Sequence, residues 1–501
     1  MLLPLELPAG VYKNGTEYQG RGRWIDSNLV RWTDNTLQPM KGWRVRSDES
    51  VAGKLRGLVS WKDNDDDRWI AGGSFSNLYV YNAAGIQYDI TPTGFVSGIE
   101  SATFADGYGN TFYGTSSYGV PRPETDTPQP ATTWSLDTFG QFLLACSSDD
   151  GKVYQWQLVV GDDATVISEA PVDNTGIIVT EERFLFCLGA GGNPKKVQWS
   201  DRESLTVWTP LATNEAGDIE LQTTGSIQCA KRVQNQTLIL TTNDAHVATY
   251  QGSPYVYGFE RVGSSCGIIS KKAVSAVDSG AYWMGDGSFY FYGGGKVQEL
   301  PCEVIDHVFT NINVSQMSKI FAVTNAKFNE ILWFYPSSTA NENDRYVAYN
   351  YKDNNWHIGT MARTTGVDSG AYTRPTYVGT NGYLYEHEIG FNYDNDTPFV
   401  ESGAISLGNG DNVMSVTSMI PDENTQGDVT ANFYAKFYPN GDEYAYGAYN
   451  MSNPTDLRIT GRQLRIRLTG DTNSDWRVGV NRLEVKQGSR RWHPGYLTTT
   501  Q

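Results

Sequence analysis

Five histidines (246, 307, 357, 387 and 493) and five cysteines (146, 187, 229, 266 and 302) are the side chains of this 501-residue sequence best suited to metal or nucleophilic chemistry. None of the histidines stands at a zinc-ligand spacing, and metal catalysis needs two or three ligands converging at short range, usually with a carboxylate. The cysteines include no CxxC pair, and an odd, dispersed set reads as reduced core thiols of a protein assembled in the cytosol. Gly263-Ser264-Ser265-Cys266-Gly267 matches the GxSxG pattern of a nucleophile elbow. Such an elbow needs a strand before it, a helix after it and an α/β setting that supplies the acid and the histidine. Here IISKKAVSAVD follows and leads into another β unit. Asp306 and His307 are available as partners, but neighbours in sequence seldom converge as a triad. A tight turn between repeats is expected instead.

Three other polar clusters invite chemical readings. Asp63-Asn64-Asp65-Asp66-Asp67 resembles the start of a calcium loop, yet Arg68 and Ser74 occupy the positions where that loop needs glycine and a carboxylate. A solvated hairpin tip is expected there. Gly189-Ala190-Gly191-Gly192-Asn193-Pro194-Lys195-Lys196 carries proline where a phosphate loop needs the glycine before lysine, so it reads as a hairpin turn. Paired carboxylates for glycoside hydrolysis are inevitable among 56 acidic residues and invisible as pairs in sequence. No catalytic, cofactor or metal residue is therefore expected.

The most distinctive polar feature is a stripe of arginines near the C-terminal end: Arg458, Arg462, Arg465, Arg467, Arg477, Arg482, Arg490 and Arg491. Residues 457–491 carry nine Arg/Lys against three Asp/Glu, whereas the whole chain has a net charge of −17. Arginine makes forked bonds to carboxylates and phosphates, so the stripe reads either as a partner-facing surface or as an outer face balancing the protein's own acidity. The acidic body argues against wrapping nucleic acid, because too few cations are available to displace counterions from phosphates. It is compatible with a surface that DNA slides past, and equally with simple solubility.

The elements that must carry these residues recur along the chain. An apolar burst, a polar turn and a strand closing on an aromatic appear at 69–81, 142–156, 184–199, 238–250, 282–292, 331–349 and 376–385. Self-similarity at about forty to fifty residues, with several strands per unit, marks a radial β-repeat whose units bury their faces only by stacking and closing. The expected fold is all-β: a β-propeller of about seven blades, with six or eight open, followed by an antiparallel β-sandwich.

Residues 1–22 read as an extended arm, and MLLPLELPAGV is a poor signal peptide, lacking a basic flank and broken by prolines. The propeller is expected over 23–394. A strand pair at 23–46 would join two strands at 371–391 to complete one blade from both ends. A Gly/Tyr/Pro stretch at 93–133 interrupts the repeat and reads as a contact loop, with Tyr108, Tyr113 and Tyr118 supplying contact area and Arg122 beside them. One short helix is expected near 302–309, where Val304, Ile305, Val308 and Phe309 share a face. Segments 400–407, 413–420, 429–438, 456–468 and 476–486 alternate cleanly and predict the sandwich over 395–491, with 492–501 a tail. No run is long and apolar enough to span a membrane.

Two runs, LPAGVYKNGTEYQGRGRWIDSNLVRWTDNTLQPMKGW (7–43) and LRITGRQLRIRLTGDTNSDWRVGVNRLEVKQGSRR (457–491), carry a family resemblance. With YGVPRP (118–123) and FNEILWFYPS (328–337) between them, they resemble the packaged-DNA stabilisation and tail-nozzle (tail tubular) proteins of short-tailed phages. The resemblance implies a β-propeller virion protein, not an enzyme, assembled in the host cytoplasm as a six-fold ring below the portal and its adaptor. Its partners would be copies of itself, adaptor and portal, tail fibres or a needle, and packaged DNA passing without sequence-specific contact. The family offers no short ligand motif. Interface residues are therefore expected among Tyr108, Tyr113, Tyr118, Arg122, Arg458, Arg462, Arg465, Arg467, Arg477 and Arg482. The competing readings are a glycan-recognising propeller at the tail tip, which exposed tryptophans along a groove would favour, and a propeller glycosidase.

Overall fold

A computed structural model describes residues 1–102, 129–406, 410, 412–422, 429–438, 441–470 and 474–488. Each repeat seen in the sequence is the middle hairpin of a four-stranded antiparallel sheet. The apolar burst forms the second strand and the segment ending in the aromatic forms the third. Blade 1 runs from Leu58 to Asp89, blade 2 from Trp134 to Val166, blade 3 from Gly176 to Glu220 and blade 4 from Ile227 to Ser264. Blade 5 runs from Val274 to Leu300 and blade 6 from Phe321 to Thr360. Blade 7 takes three strands, Arg363–Val367, Thr376–Gly379 and Leu384–His387, and borrows its fourth, Trp43–Val45, from the N-terminal region. The first strands of successive blades touch in order, and that of blade 7 touches that of blade 1. The ring is closed, with seven blades.

The closing aromatics explain why the units stack. Tyr81, Trp156, Trp199, Tyr292, Tyr349 and Tyr385 are all buried, where a lone hairpin would leave them wet. Trp69 of blade 1 meets Trp156 of blade 2 edge-on at 5.3 Å, and Tyr282 of blade 5 meets Tyr349 of blade 6 at 5.9 Å. Phe184 and Phe186 of blade 3 pack on Tyr257 of blade 4 at 5.3 and 4.9 Å. Blade closure differs from the expected two-plus-two arrangement: the N-terminal region contributes one strand. Of the pair expected at 23–46, Trp24–Asn28 leaves for the sandwich, and Val30–Thr33 with Thr36–Pro39 forms a separate hairpin.

Among the described residues the sandwich has nine strands. One sheet orders Leu2–Leu5, Asn481–Gln487, Met414–Ile420 and Thr455–Gly461. The other orders Trp24–Asn28, Phe399–Ser402, Gln463–Gly470, Val429–Lys436 and Glu443–Asn450. Strict alternation places Leu457, Ile459, Leu464, Ile466 and Leu468 in its core. The segment expected at 456–468 is two strands, because the chain reverses at Gly461-Arg462. Residues 1–22 are no free arm, since Leu2–Leu5 pairs along Asn481–Glu484 and Val11 N–H donates to the Trp356 carbonyl at 2.7 Å. The helix expected near 302–309 is present as a short α-helix, Ile305–Phe309, between blades 5 and 6, with Val304 and Val308 buried.

A buried ionic cluster fastens the N-terminal hairpin to the propeller. Arg31, only 1% exposed, donates through Nε to Glu330 at 3.0 Å and through both terminal nitrogens to Glu388 at 3.0 and 2.7 Å. His357 Nε2 lies 3.3 Å from Glu330, Asn325 donates to Glu388 at 2.7 Å, and the Phe328 ring lies 3.8 Å from the guanidinium. Burial alone would push the Glu330 carboxyl upward, but Arg31 and then His357 hold it below its ordinary value.

Candidate assembly surface

The arginine stripe divides between the two outer faces of the sandwich. Arg465 and Arg467 project from Gln463–Gly470 on the face of the five-stranded sheet, where the chain's own carboxylates receive them. Arg465 makes a forked bond to both oxygens of Glu443 at 2.7 Å, pairs with Glu401 and lies over the Tyr434 ring at 5.2 Å. Arg467 lies 3.5 Å from Glu401 and 3.7 Å over the Phe399 ring. Lys436 joins the same network through Glu443 and Glu17, each at 3.5 Å. Of the two readings of the stripe, self-neutralisation describes these two arginines. Arg462 sits over the Tyr438 ring at 5.5 Å.

Arg458 and Arg482 lie on the other sheet and are exposed. Among the described residues neither has a hydrogen-bond or ion-pair partner. Glu484, on the same outer face as Arg482, accepts from Ser418 and Thr417 at 3.0 Å each, and these bonds hold its carboxyl below the ordinary range. Arg477 is exposed in the loop ahead of Asn481–Gln487. Tyr108, Tyr113, Tyr118, Arg122, Arg490 and Arg491 lie outside the described residues.

A second contact-competent feature gave no signal in the sequence. Glu443–Asn450 (EYAYGAYN) is an edge strand, paired on one side with Val429–Lys436 and mostly exposed on both faces. An edge presents unpaired backbone N–H and C=O groups, which another strand can extend. Tyr444 and nearby Tyr438 are 46% and 55% exposed. No regular alternation betrays this strand, because only Tyr446 and Tyr449 pack, half-buried, against the core and they stand three residues apart; its Tyr/Gly/Ala composition is the one available clue. A third projection is the hairpin Asp244–Gly252/Val256–Ser264 of blade 4, whose tip carries Tyr255 at 78% exposure.

The clusters weighed for catalysis fall where turns were expected. Gly263–Gly267 is the passage from blade 4 to blade 5; Cys266 is buried there, and its carbonyl accepts from Trp283 Nε1 at 2.8 Å. A side chain at Gly267 would meet the Thr242 carbonyl at 2.0 Å, so the glycine serves a close backbone crossing. Asp63 caps its own hairpin tip, accepting from Asp65 and Asp67 N–H at 3.0 and 2.9 Å and from Trp69 Nε1 at 2.9 Å. Gly189–Asn193 is the turn between the second and third strands of blade 3. Among the described residues no three His, Cys, Asp or Glu side chains converge as a metal site. Two pairs of carboxylates do converge, Glu330 with Glu388 and Glu401 with Glu443, but each does so on an arginine, Arg31 and Arg465. All the described tryptophans are buried, so none lines an exposed groove.

No protein-family model matches the chain, and no curated protein matches it. Among solved structures it is similar to virginiamycin B lyase from Staphylococcus aureus, at 8% identity and a TM-score of 0.41, covering 69% of this chain and 97% of that one. It is also similar to the Pan2 WD40 domain of Neurospora crassa, at 9% identity and a TM-score of 0.40 over 69% and 96% of the two chains. BamB from Moraxella catarrhalis shares 12% identity at a TM-score of 0.30, over 76% and 94%. Similarity this distant carries no functional argument. The propeller assignment stands on the closed ring of seven four-stranded sheets. No described helix is long and apolar enough to cross a membrane.

Proposed function

We propose that this chain is a structural subunit of a short-tailed phage virion, forming the ring-shaped tail nozzle below the portal and adaptor, where it extends the DNA channel and retains packaged DNA. The observation that carries the reading is the union of the two runs bearing the family resemblance. Residues 7–43 and 457–491 stand at opposite ends of the sequence, yet they meet in one unit. Trp24–Asn28 pairs with Phe399–Ser402, which pairs with Gln463–Gly470, and Val478 N–H donates to the Leu37 carbonyl at 3.0 Å. The resemblance thus follows a single folded module and not two unrelated fragments.

The surface chemistry supports an assembly role. Two unpartnered arginines on one sheet and an open tyrosine-bearing edge on the other are the kinds of feature a neighbouring acidic subunit can engage. The net charge of −17 suits a wall past which DNA moves without adhering. The decisive test is quantitative mass spectrometry of gradient-purified particles, counting this chain against the portal. About half as many copies as portal fits a six-fold ring on a twelve-fold portal. Absence from the particle removes the nozzle reading and turns attention to glycan binding.

A further inference from the structure

The first strands of the blades enclose a cavity of about 340 Å³ along the propeller axis. Its charged lining comes from blades 2, 4 and 5. Asp137 stands on the first strand of blade 2. Lys231 and Arg232 stand on the first strand of blade 4, and Lys271 and Lys272 just precede that of blade 5. Asp137 is fully engaged: Oδ1 accepts from Arg232 at 3.0 Å and Oδ2 caps the Val179 N–H at 2.8 Å. It is the one carboxylate among the described lining residues. The three lysines line the cavity, and among the described residues their ammonium groups have no hydrogen-bond or ion-pair partner. The site is rigid at its base, since the Lys272 carbonyl accepts from Ala322 N–H of blade 6 at 2.8 Å.

We propose that Lys231, Lys271 and Lys272 form a binding site inside the propeller for a small phosphate-bearing polyanion of about pyrophosphate size. Three uncompensated amines around one cavity, Lys231 exposed to its lumen and Lys271 and Lys272 half-buried, repel one another, which a chain of net charge −17 had ample carboxylate to relieve. A multiply charged anion relieves that repulsion. Hydroxyls of Ser135, Thr175 and Ser275 also line the cavity and add polar groups. A plain solvated lumen is the simpler alternative, with each lysine reaching channel water along its stem.

The titration behaviour agrees with cations crowded at one place. Burial first, and then Lys231 and Lys271, push the Lys272 amine down to about 7, with Asp137 opposing. Burial likewise lowers the half-buried Lys271. The thiols of Cys229 and Cys146, raised by burial to about 11 and about 12, stay neutral and provide no counter-charge. Arg232 is committed to Asp137. Anion binding should therefore draw a proton onto Lys272 near neutral pH.

The inference is independent of the nozzle reading and is tested on the purified full chain with sodium pyrophosphate. Calorimetry near pH 7, in two buffers of different ionisation enthalpy, should give saturable binding with net proton uptake. K231M/K272M should weaken binding at least tenfold, while R458M/R482M leaves it unchanged. In the unsubstituted protein, pyrophosphate should protect Lys231, Lys271 and Lys272 from acetic anhydride, as mapped by mass spectrometry. No saturable binding at millimolar pyrophosphate, or binding without protection of these lysines, would overturn the proposal.

Discussion

Arg31→Met tests whether a buried ionic cluster, and not the hairpin's apolar contacts alone, fastens the N-terminal segment to the propeller. The substitution keeps an unbranched stem over Phe328 and deletes three N–H bonds to Glu330 and Glu388. Both carboxylates stay buried, and each retains one partner, His357 and Asn325 respectively. Breaking a buried pair by removing one member costs about 3–5 kcal/mol. The retained partners favour the lower half of that range, and the doubled carboxylate favours the upper, so about 4 kcal/mol is expected. Urea unfolding followed by near-ultraviolet dichroism of the buried tryptophans measures it.

The pH dependence separates charge from packing. In the native protein Glu330 is held below its ordinary value of 4.5, so its contribution is complete above that pH and is lost as the pH falls through the lowered value. Without Arg31 the effect of burial dominates, Glu330 binds its proton at higher pH, and acid relieves the variant. The gap between the two proteins should therefore shrink on acidification from pH 7 to 4.5. E330Q/E388Q added to Arg31→Met should recover more than half of the loss. A gap below about 1 kcal/mol at pH 7, or one that does not change with pH, would refute the reasoning.

Further outcomes follow from the same geometry. Trp43 donates to Asp394 at 2.6 Å, stacks on His387 at 5.3 Å and lies 4.6 Å from the Arg363 guanidinium, so Trp43→Ala should cost about 3–5 kcal/mol and open blade 7 to limited proteolysis. His307 is pushed down to about 4, by burial first and then by Lys13 and Arg345, with Asp26 opposing. Its proton is therefore taken up mainly by the unfolded chain, destabilising the fold as the pH drops from 6.5 towards 4. His307→Gln should flatten that part of the stability–pH curve, and an unchanged curve contradicts the assignment. Tyr444→Lys with Tyr438→Lys places charge beside the open sandwich edge. It should leave the dichroism spectrum intact and block incorporation into particles, and normal particles would discard this edge as an interface. Arg465→Glu should instead lower stability, because it sets a third carboxylate against Glu401 and Glu443.

The propeller was legible because its middle hairpins are the most buried parts of each blade. Strands such as Phe142–Ser147 and Glu330–Tyr335 are nearly continuous apolar runs, each followed by a strand that closes on an aromatic, Trp156 or Tyr349. The flanking strands were not, since Thr165–Val166 is exposed and Leu58–Lys62 half-buried, so neither carries a period. In the sandwich, Val429–Lys436 alternates perfectly and was visible, whereas Glu443–Asn450 is mostly exposed, without alternation, and was not. The destination of the N-terminal strands was hidden for a different reason. Trp24–Asn28 and Trp43–Val45 look alike locally, and only their distant partners distinguish them. The lysine cluster escaped notice because Lys231 and Lys271-Lys272 belong to different repeats and meet only after the ring closes.

The threading of residues 1–45 has a consequence for synthesis. Trp43–Val45 must wait for Leu384–His387, Trp24–Asn28 for Phe399–Ser402, and Leu2–Leu5 for Asn481–Gln487. These strands leave the ribosome before the seven blades they accompany and find their partners after them, in nested order from the inside outward. Contacts of such sequence separation are slow to form, and an unpaired strand is open to intermolecular pairing meanwhile. A ribosome that stops before residue 384 thus releases a ring with no latch, and one that stops before 481 releases a latched ring with half its sandwich sheet missing. Asn481–Gln487 thus certifies everything made between it and Leu2–Leu5, which would keep interrupted subunits out of any assembly built on the finished sandwich.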